Sequence, residues 1–244
     1  MNLVMLMDSI EMLQKMIDDA KKIVFFSGAG VSTLSGIKDF RSPDGLYQMK
    51  YKYPPEYMLS EDCLYKHTED FFDFYREYLN CLEYEPNIVH QYIVDLEKRG
   101  KDVVVVTQNI DGLHTKAGSK KVYEIHGSVY RNYCDTCMKD YDSDAIFSST
   151  GVPSCTCGGI IRPDVVLYGE MLPQDDFAFS IDAIREADLL IVAGTSLTVY
   201  PASGMIREFG GENMVLLNRD ATPNDADFDL VIHDDFQNIF SKLK

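Results

Sequence analysis

The sequence predicts an α/β protein, a doubly wound parallel sheet with a second, smaller lobe. Three observations predict it. Short, near-continuous apolar runs rich in β-branched residues recur along the chain, as expected of strands buried on both faces. Helical stretches separate several of them, and such alternation builds parallel sheets with right-handed crossovers. Two segments, 43–85 and 128–162, break the alternation and read as insertions that form the second lobe over a cleft.

The elements follow in chain order. The opening "MNLVMLMDSIEMLQKMIDDAKK" carries acids early and lacks a basic n-region, so it reads as an amphipathic helix and not as a signal peptide. Strands are expected at Ile23–Phe26, Val103–Thr107, Val122–Ile125, Leu189–Ala193, Met214–Asn218 and Leu230–Ile232, with helices over Asn87–Arg99 and Asp175–Glu186. Ligands bind such sheets at the carboxyl ends of the strands. Four of the ends are polar or glycine-rich: Ser27-Gly28-Ala29-Gly30, Thr107-Gln108-Asn109-Ile110-Asp111, Gly194-Thr195-Ser196 and Asn218-Arg219-Asp220. Four such ends on one sheet imply a single cleft.

Composition bounds the function. The chain has 244 residues, 45% hydrophobic and 25% charged, which suits one large core plus a smaller lobe. No apolar run approaches the ~18 residues of a membrane span, so neither a membrane nor a targeting segment is expected, and a cytoplasmic location is. A formal charge of −16 argues against nucleic-acid partners, sequence-specific or not, because phosphates are neutralised by Lys and Arg. It suits solubility, and equally a cationic partner such as a lysine-bearing peptide.

Four of the six cysteines cluster as Cys134-Asp135-Thr136-Cys137, seventeen residues, then Cys155-Thr156-Cys157. This approximates a zinc ribbon, although the second pair is tighter than C-x-x-C. Four thiolates make a closed tetrahedral set, hence a structural zinc that staples a small lobe and takes no part in catalysis. Cys63 and Cys81 stand apart and read as small buried side chains.

In the cleft, Gly28 and Gly30 permit a tight turn and close approach to a pyrophosphate, with backbone N–H groups from the helix start that follows. The third glycine of G-x-G-x-x-G is absent, since Thr33 occupies its place, and Asp39-Phe40-Arg41 follows where a plain nucleotide loop would continue a helix. His126, closing the strand in "VYEIHGS", shares the inferred mouth with Gln108, Asn109 and Asp111. A strand-end histidine is often only structural, but in that company a general base is the stronger assignment.

The chain resembles the sirtuins, NAD-dependent protein deacylases, over nearly its full length. The resemblance rests on "GAGVSTLSGIKDFRS", "TQNIDGLH", "HGS", the four cysteines, "RPDVVLYGE", "GTSLTVYPA" and "NRD", which together are highly specific. It implies a Rossmann-like domain of residues 1–42, 86–127 and 163–244, a small domain from the helical insertion 43–85 and the zinc-ribbon insertion 128–162, and NAD and acyl-lysine entering one cleft from opposite sides. It also implies roles. Ala29 and Thr33 contact the cofactor, Phe40 shields the ribose once nicotinamide leaves, and Arg41 sits by the phosphates. Gln108 contacts the ribose, while Ile110 and Asp111 hold the nicotinamide carboxamide. Gly194, Thr195, Ser196, Asn218 and Asp234 receive the adenosine half, and Val166 and Tyr168 line the acyl-lysine tunnel. Asn109 and His126 are the catalytic pair.

The implied chemistry begins with attack of the acyl oxygen on ribose C1′, which expels nicotinamide and leaves an alkylimidate. His126 then deprotonates the ribose hydroxyl chain so that the ribose oxygen attacks the imidate carbon, and water releases lysine and O-acyl-ADP-ribose. An intact-NAD dehydrogenase is disfavoured by the incomplete glycine fingerprint. ADP-ribosyl transfer, or a non-catalytic NAD-sensing module, remain alternatives. The sequence departs from the usual pattern at Leu34 and Lys38, where Glu and Pro are customary, and at Tyr168, usually Phe, whose hydroxyl either alters acyl preference or faces solvent. Relatives that favour succinyl- or malonyl-lysine carry Y-x-x-R in the helical insertion. The matching register here gives Phe74 and Glu77, with Arg76 one position away, so an uncharged acyl group is expected.

Overall fold

The structure is a computed structural model that describes residues 3–40 and 45–244. In chain order the elements are α1 (Leu3–Asp19), β1 (Lys22–Ser27), α2 (Pro55–Met58), α3 (Glu61–Lys66), α4 (Thr68–Tyr78), α5 (Ile88–Lys98), β2 (Asp102–Thr107), α6 (Leu113–Ala117) and β3 (Val122–Glu124). They continue with β4 (Gly127–Cys134), β5 (Asp140–Tyr141), α7 (Asp144–Phe147), β6 (Ile161–Val165), α8 (Gln174–Glu186), β7 (Leu189–Ala193), β8 (Asn213–Leu217), β9 (Leu230–Ile232) and α9 (Phe236–Phe240). Every strand expected for the large sheet forms, to within a residue or two at its ends.

These strands build a six-stranded sheet in the order β3-β2-β1-β7-β8-β9, with every pairing parallel. The chain winds outward from β1 through β2 to β3, then restarts at β7 on the other side of β1. The topological switch therefore lies between β1 and β7, where a doubly wound sheet opens a crevice. Alternate residues explain why these runs are apolar throughout. Ile23, Phe25, Val103, Val105, Ile191 and Val215 face α1, α5 and α9 in one buried cluster. Val24, Phe26, Val106, Leu190, Val192 and Leu216 face α8 and the 3-10 helix Ala202–Glu208 in another.

The two insertions share a third core. Phe71, Phe72, Phe74 and Tyr75 of α4 pack with Val129, Cys134, Ile146, Cys155 and Ile161. The antiparallel sheet β5-β4-β6 belongs to this lobe. Arg76 ties α4 to the cysteine-bearing segment by donating to the Gly151 carbonyl (2.9 Å) and pairing with Asp73 (2.9 Å).

One expectation is corrected. The segment after β1 is not an α-helix but a seven-residue 3-10 helix, Ala29–Ser35. Its geometry comes from the loop after β7, which crosses it at contact distance. Gly28 N–H donates to Ala193 O (3.0 Å) and Gly30 N–H to Gly194 O (2.9 Å). A Cβ on Gly30 would lie 2.7 Å from Gly194 Cα, and one on Gly194 would lie 2.5 Å from Val31 N. Gly194 also has φ +63°, a region that penalises L side chains. Gly194→Ala should therefore cost about 2–4 kcal/mol through strain and backbone overlap. Urea unfolding measures this, and a loss below about 0.5 kcal/mol would show that the crossing has slack.

Candidate active site

The carboxyl ends of β1, β2, β7 and β8 open into one cavity of about 900 Å³. Gly28, Ala29, Gly30, Thr33, Phe40, Gln108, Asn109, Ile110, Asp111, His126, Val166, Tyr168, Gly194, Thr195, Ser196, Asn218 and Asp234 all line it. The single cleft expected from four polar strand ends is thus present. Arg41 lies outside the described residues.

Polar side chains knit the strand ends together. Gln108 Nε2 donates to Thr195 Oγ1 (3.1 Å), joining β2 to β7 across β1. Ser32, fully buried, donates to Asp111 Oδ2 (2.6 Å) and accepts from Asn109 Nδ2 (3.1 Å). Asp111 Oδ1 accepts from Leu113 N–H (2.9 Å). Burial raises the Asp111 carboxyl pKa, and the hydrogen bonds from Ser32 and Leu113 oppose that rise. Ser32 went unassigned in the sequence, because a serine in a glycine-rich loop gives no sign of two partners nearly 80 residues away.

His126 does not end a strand, since β3 stops at Glu124. It sits in the turn between β3 and β4, half-buried, with Nδ1 3.1 Å from Gln108 O. A carbonyl only accepts, so Nδ1 carries the proton and a neutral ring keeps Nε2 as a free base. Burial lowers its pKa below the ordinary 6.5, with the Gln108 bond opposing. The His126 carbonyl accepts from Val166 N–H (3.0 Å), which fixes the following strand against the histidine.

Beyond Val166 the chain bridges the two lobes. Tyr168 N–H donates to Leu59 O (2.9 Å), and Glu61 N–H donates to Tyr168 O (3.0 Å). The Tyr168 hydroxyl meets that of Tyr47, so it is neither a free cavity group nor simply solvated. Buried Arg162 grips Glu170 through two nitrogens (2.6 and 3.0 Å), and Glu170 also accepts from Leu167 N–H (2.8 Å). Phe40 packs edge-on against Tyr47, ring centroids 5.6 Å apart.

At the outer end, Asn218 Nδ2 donates to Asp220 O (2.7 Å), and Ser196 and Thr198 hydroxyls are 2.8 Å apart. Asp234 lines the cavity while Oδ1 accepts from Asn238 Nδ2 (2.9 Å) and Asp235 N–H (2.7 Å). Thr33 Oγ1 donates back to Gly30 O (2.9 Å).

Residues 28–201 match the Sir2 family. The chain belongs to the Sir2 family. It is 52% identical over 234 residues to an NAD-dependent protein deacetylase of Clostridium acetobutylicum, covering 94% of this chain and 96% of the relative. A second NAD-dependent protein deacetylase, of Cutibacterium acnes, is 50% identical over 92% of this chain and 93% of its own. Among solved structures, a Sir2 with a p53 peptide and NAD superposes with a TM-score of 0.85 at 36% identity, over 96% of both chains. A Sir2 bound to acetylated peptide gives 0.85 at 35%, again over 96% of both.

The cysteine cluster fits the structural zinc expected of this family member. All four sulfurs lie within 4.8 Å of one another. Cys134 and Cys157 are 3.4 Å apart, and Cys137 and Cys155 3.6 Å. A zinc tetrahedron with Zn–S of about 2.3 Å needs sulfurs about 3.8 Å apart, so the set needs only small adjustments. Donors aimed at the sulfurs suit thiolates: Thr136 N–H and Cys137 N–H point to Cys134 Sγ (3.4 and 3.5 Å), and Tyr141 Oη donates to Cys155 Sγ (3.0 Å). Cys63 and Cys81 are buried elsewhere, as expected. Protein purified without chelators should carry one zinc per chain by elemental analysis, and Cys157→Ala should lose it and melt several degrees lower. Zinc-free native protein of full stability would refute this assignment.

Proposed function

We propose that this chain is an NAD-dependent protein-lysine deacetylase in which His126 is the general base and Asn109 its catalytic partner. The observation that carries this is the hydrogen bond from His126 Nδ1–H to Gln108 O, which leaves a basic Nε2 on the cavity wall. NAD, held by the residues assigned below, would supply an electrophilic ribose carbon to the acyl-lysine oxygen. The chain supplies position, dryness and one proton acceptor. Asn109, Asp111 and Ser32 hold one another in a buried triad that supports a carboxamide site at Asp111 and Ile110. Gly28 and Gly30 bring backbone close to the phosphates, with Ala29, Thr33, Phe40 and Arg41 completing that loop's role. Gly194, Thr195, Ser196, Asn218 and Asp234 are assigned to adenosine, with Gln108 at the ribose.

The common core of the two insertions supports their assignment to one small domain, residues 43–85 with 128–162. The cleft between that domain and the sheet suits acyl-lysine, with Val166 and Tyr168 as its walls. Helix α4 offers no cation to the cleft there. Arg76 is turned to Gly151 and Asp73, Phe74 is buried, and Glu77 reaches the cavity. This supports an uncharged acyl group. Among the described residues no helix is long and apolar enough to cross a membrane.

Protein, NAD and an acetyl-lysine peptide should yield nicotinamide, free lysine and acetyl-ADP-ribose by mass spectrometry. NADH would indicate a dehydrogenase, a gain in protein mass ADP-ribosyl transfer, and no product a sensor. His126→Ala should lower kcat by about 10²–10⁴-fold while NAD binding survives. A lowered imidazole pKa keeps the base form populated at neutral pH, so the acid limb of kcat/KM should have its midpoint below 6.5. Turnover of the variant within a few-fold of wild type would sink the assignment. In competition between acetyl- and succinyl-lysine versions of one peptide, acetyl should win on kcat/KM, and a succinyl preference would require a cation in the acyl site.

A further inference from the structure

Two buried histidines behind the cavity belong to none of the roles assigned above. His90 lies in the first turn of α5 and His114 in α6, with ring centroids 4.7 Å apart. Their surviving hydrogen bonds fix their protonation. Asn87 N–H donates to His90 Nδ1 (3.2 Å), so that nitrogen is bare and a neutral ring carries its proton on Nε2. Ser27 Oγ donates its one proton to Thr107 Oγ1 (2.9 Å). Ser27 can then only accept from His114 Nε2, 3.0 Å away, which places the His114 proton on Nε2 and leaves Nδ1 bare.

The remaining nitrogens, His90 Nε2 and His114 Nδ1, are buried and find no partner among the described residues. By the tautomers just fixed, the first is a donor and the second an acceptor. They are each other's chemical complement on adjoining rings. Burial keeps both rings neutral: it lowers the His90 pKa to about 4, and it lowers that of His114 well below 6.5 with help from neighbouring His90.

We infer that two buried hydrogen-bond arms, Asn87–His90 and His114–Ser27–Thr107, meet at the packed imidazoles and act as one relay that positions Asn109 and the cofactor loop. Both ends of the relay reach the same 3-10 segment. At one end, Asn87 Nδ2 donates to Val31 O (2.8 Å) and Ser35 Oγ (2.9 Å). At the other, Thr107 Oγ1 accepts from Asn109 N–H (3.0 Å), and Asn109 Nδ2 donates to Ser32 Oγ (3.1 Å). Both arms therefore bear on the loop that faces the cavity, and they touch at the two rings without a hydrogen bond between them. His90 and His114 are positioning residues, acting through Asn109, Val31 and Ser32.

Their functional role rests on the deacetylase reading, but the relay itself does not. Tautomer-sensitive ¹H–¹⁵N NMR of the wild-type chain should show both rings as neutral Nε2–H forms from pH 7.5 down to about 5. A Nδ1–H tautomer at either ring, or titration of either near its ordinary value, would overturn the relay whether or not the protein deacetylates. For the role, His114→Gln keeps an N–H donor for Ser27, whereas His114→Leu removes it. With acetyl-lysine peptide and NAD, the Leu variant should lose at least about tenfold in kcat with KM for NAD within about threefold, and the Gln variant should recover most of the loss. Equal activity of the two variants would overturn the positioning role. An inactive wild type with the expected tautomers would instead refute the deacetylase reading and leave the relay standing.

Discussion

The crossing of two backbones at the switch point governs this structure. Residues 28–30 leave β1 pressed against Gly194 as it leaves β7, at a separation that no side chain could share. Because the two strands are hydrogen-bonded neighbours, their exit loops lie directly against each other. The tight 3-10 winding of residues 29–35 follows, and with it the inward aim of Ser32 toward Asn109 and Asp111. A conventional dinucleotide loop continues as a regular helix whose N-terminus serves the phosphates. Here the same two glycines instead admit a second loop, and the buried polar triad occupies the space beneath.

The small lobe obeys a different constraint. Its two segments, 43–85 and 128–162, are distant in sequence and share a core centred on the aromatic face of α4. Two of the metal-site cysteines, Cys134 and Cys155, are themselves part of that core. Metal and packing are therefore not separate stabilisers, since the ligands occupy positions that apolar side chains would otherwise fill. Through Arg76 and Gly151 the same lobe fixes the orientation of the helix that presents Glu77 to the cleft.

The sheet was legible because strands buried on both faces leave a run of β-branched residues with no polar interruption, and all six such runs pair in parallel. The cysteine cluster was legible for a similar reason, as spacing in a short polar segment has few other uses. The 3-10 helix was not, because its cause lies at Gly194, more than 160 residues away. His126 lines the cleft but stands in a turn and not at a strand end. The β3 ladder ends at Glu124, whose carboxylate turns to Arg131 (2.5 Å), and the chain must then reverse into β4. Ser32 and His114 stand inside motifs that carry the family resemblance, yet neither they nor His90 show a role in sequence, since a lone polar residue beside an apolar run is compatible with surface and core alike. Only the packing of α5 against α6 reveals that the two buried imidazoles adjoin.

The contact between Tyr47 and Tyr168 brings together hydroxyls 121 positions apart, one from the helical insertion and one from the chain leaving β6. The wall they form is a seam between two bodies rather than the surface of either. Its aperture is consequently a measure of how far the small lobe stands from the sheet. A ligand too broad for the aperture meets resistance not from one side chain but from the joint displacement of Leu59–Glu61 and Tyr168, which are laced together by backbone hydrogen bonds. The width of the opening is thereby set along a ribbon of main chain that both lobes share, and not by one side chain on either flank of it.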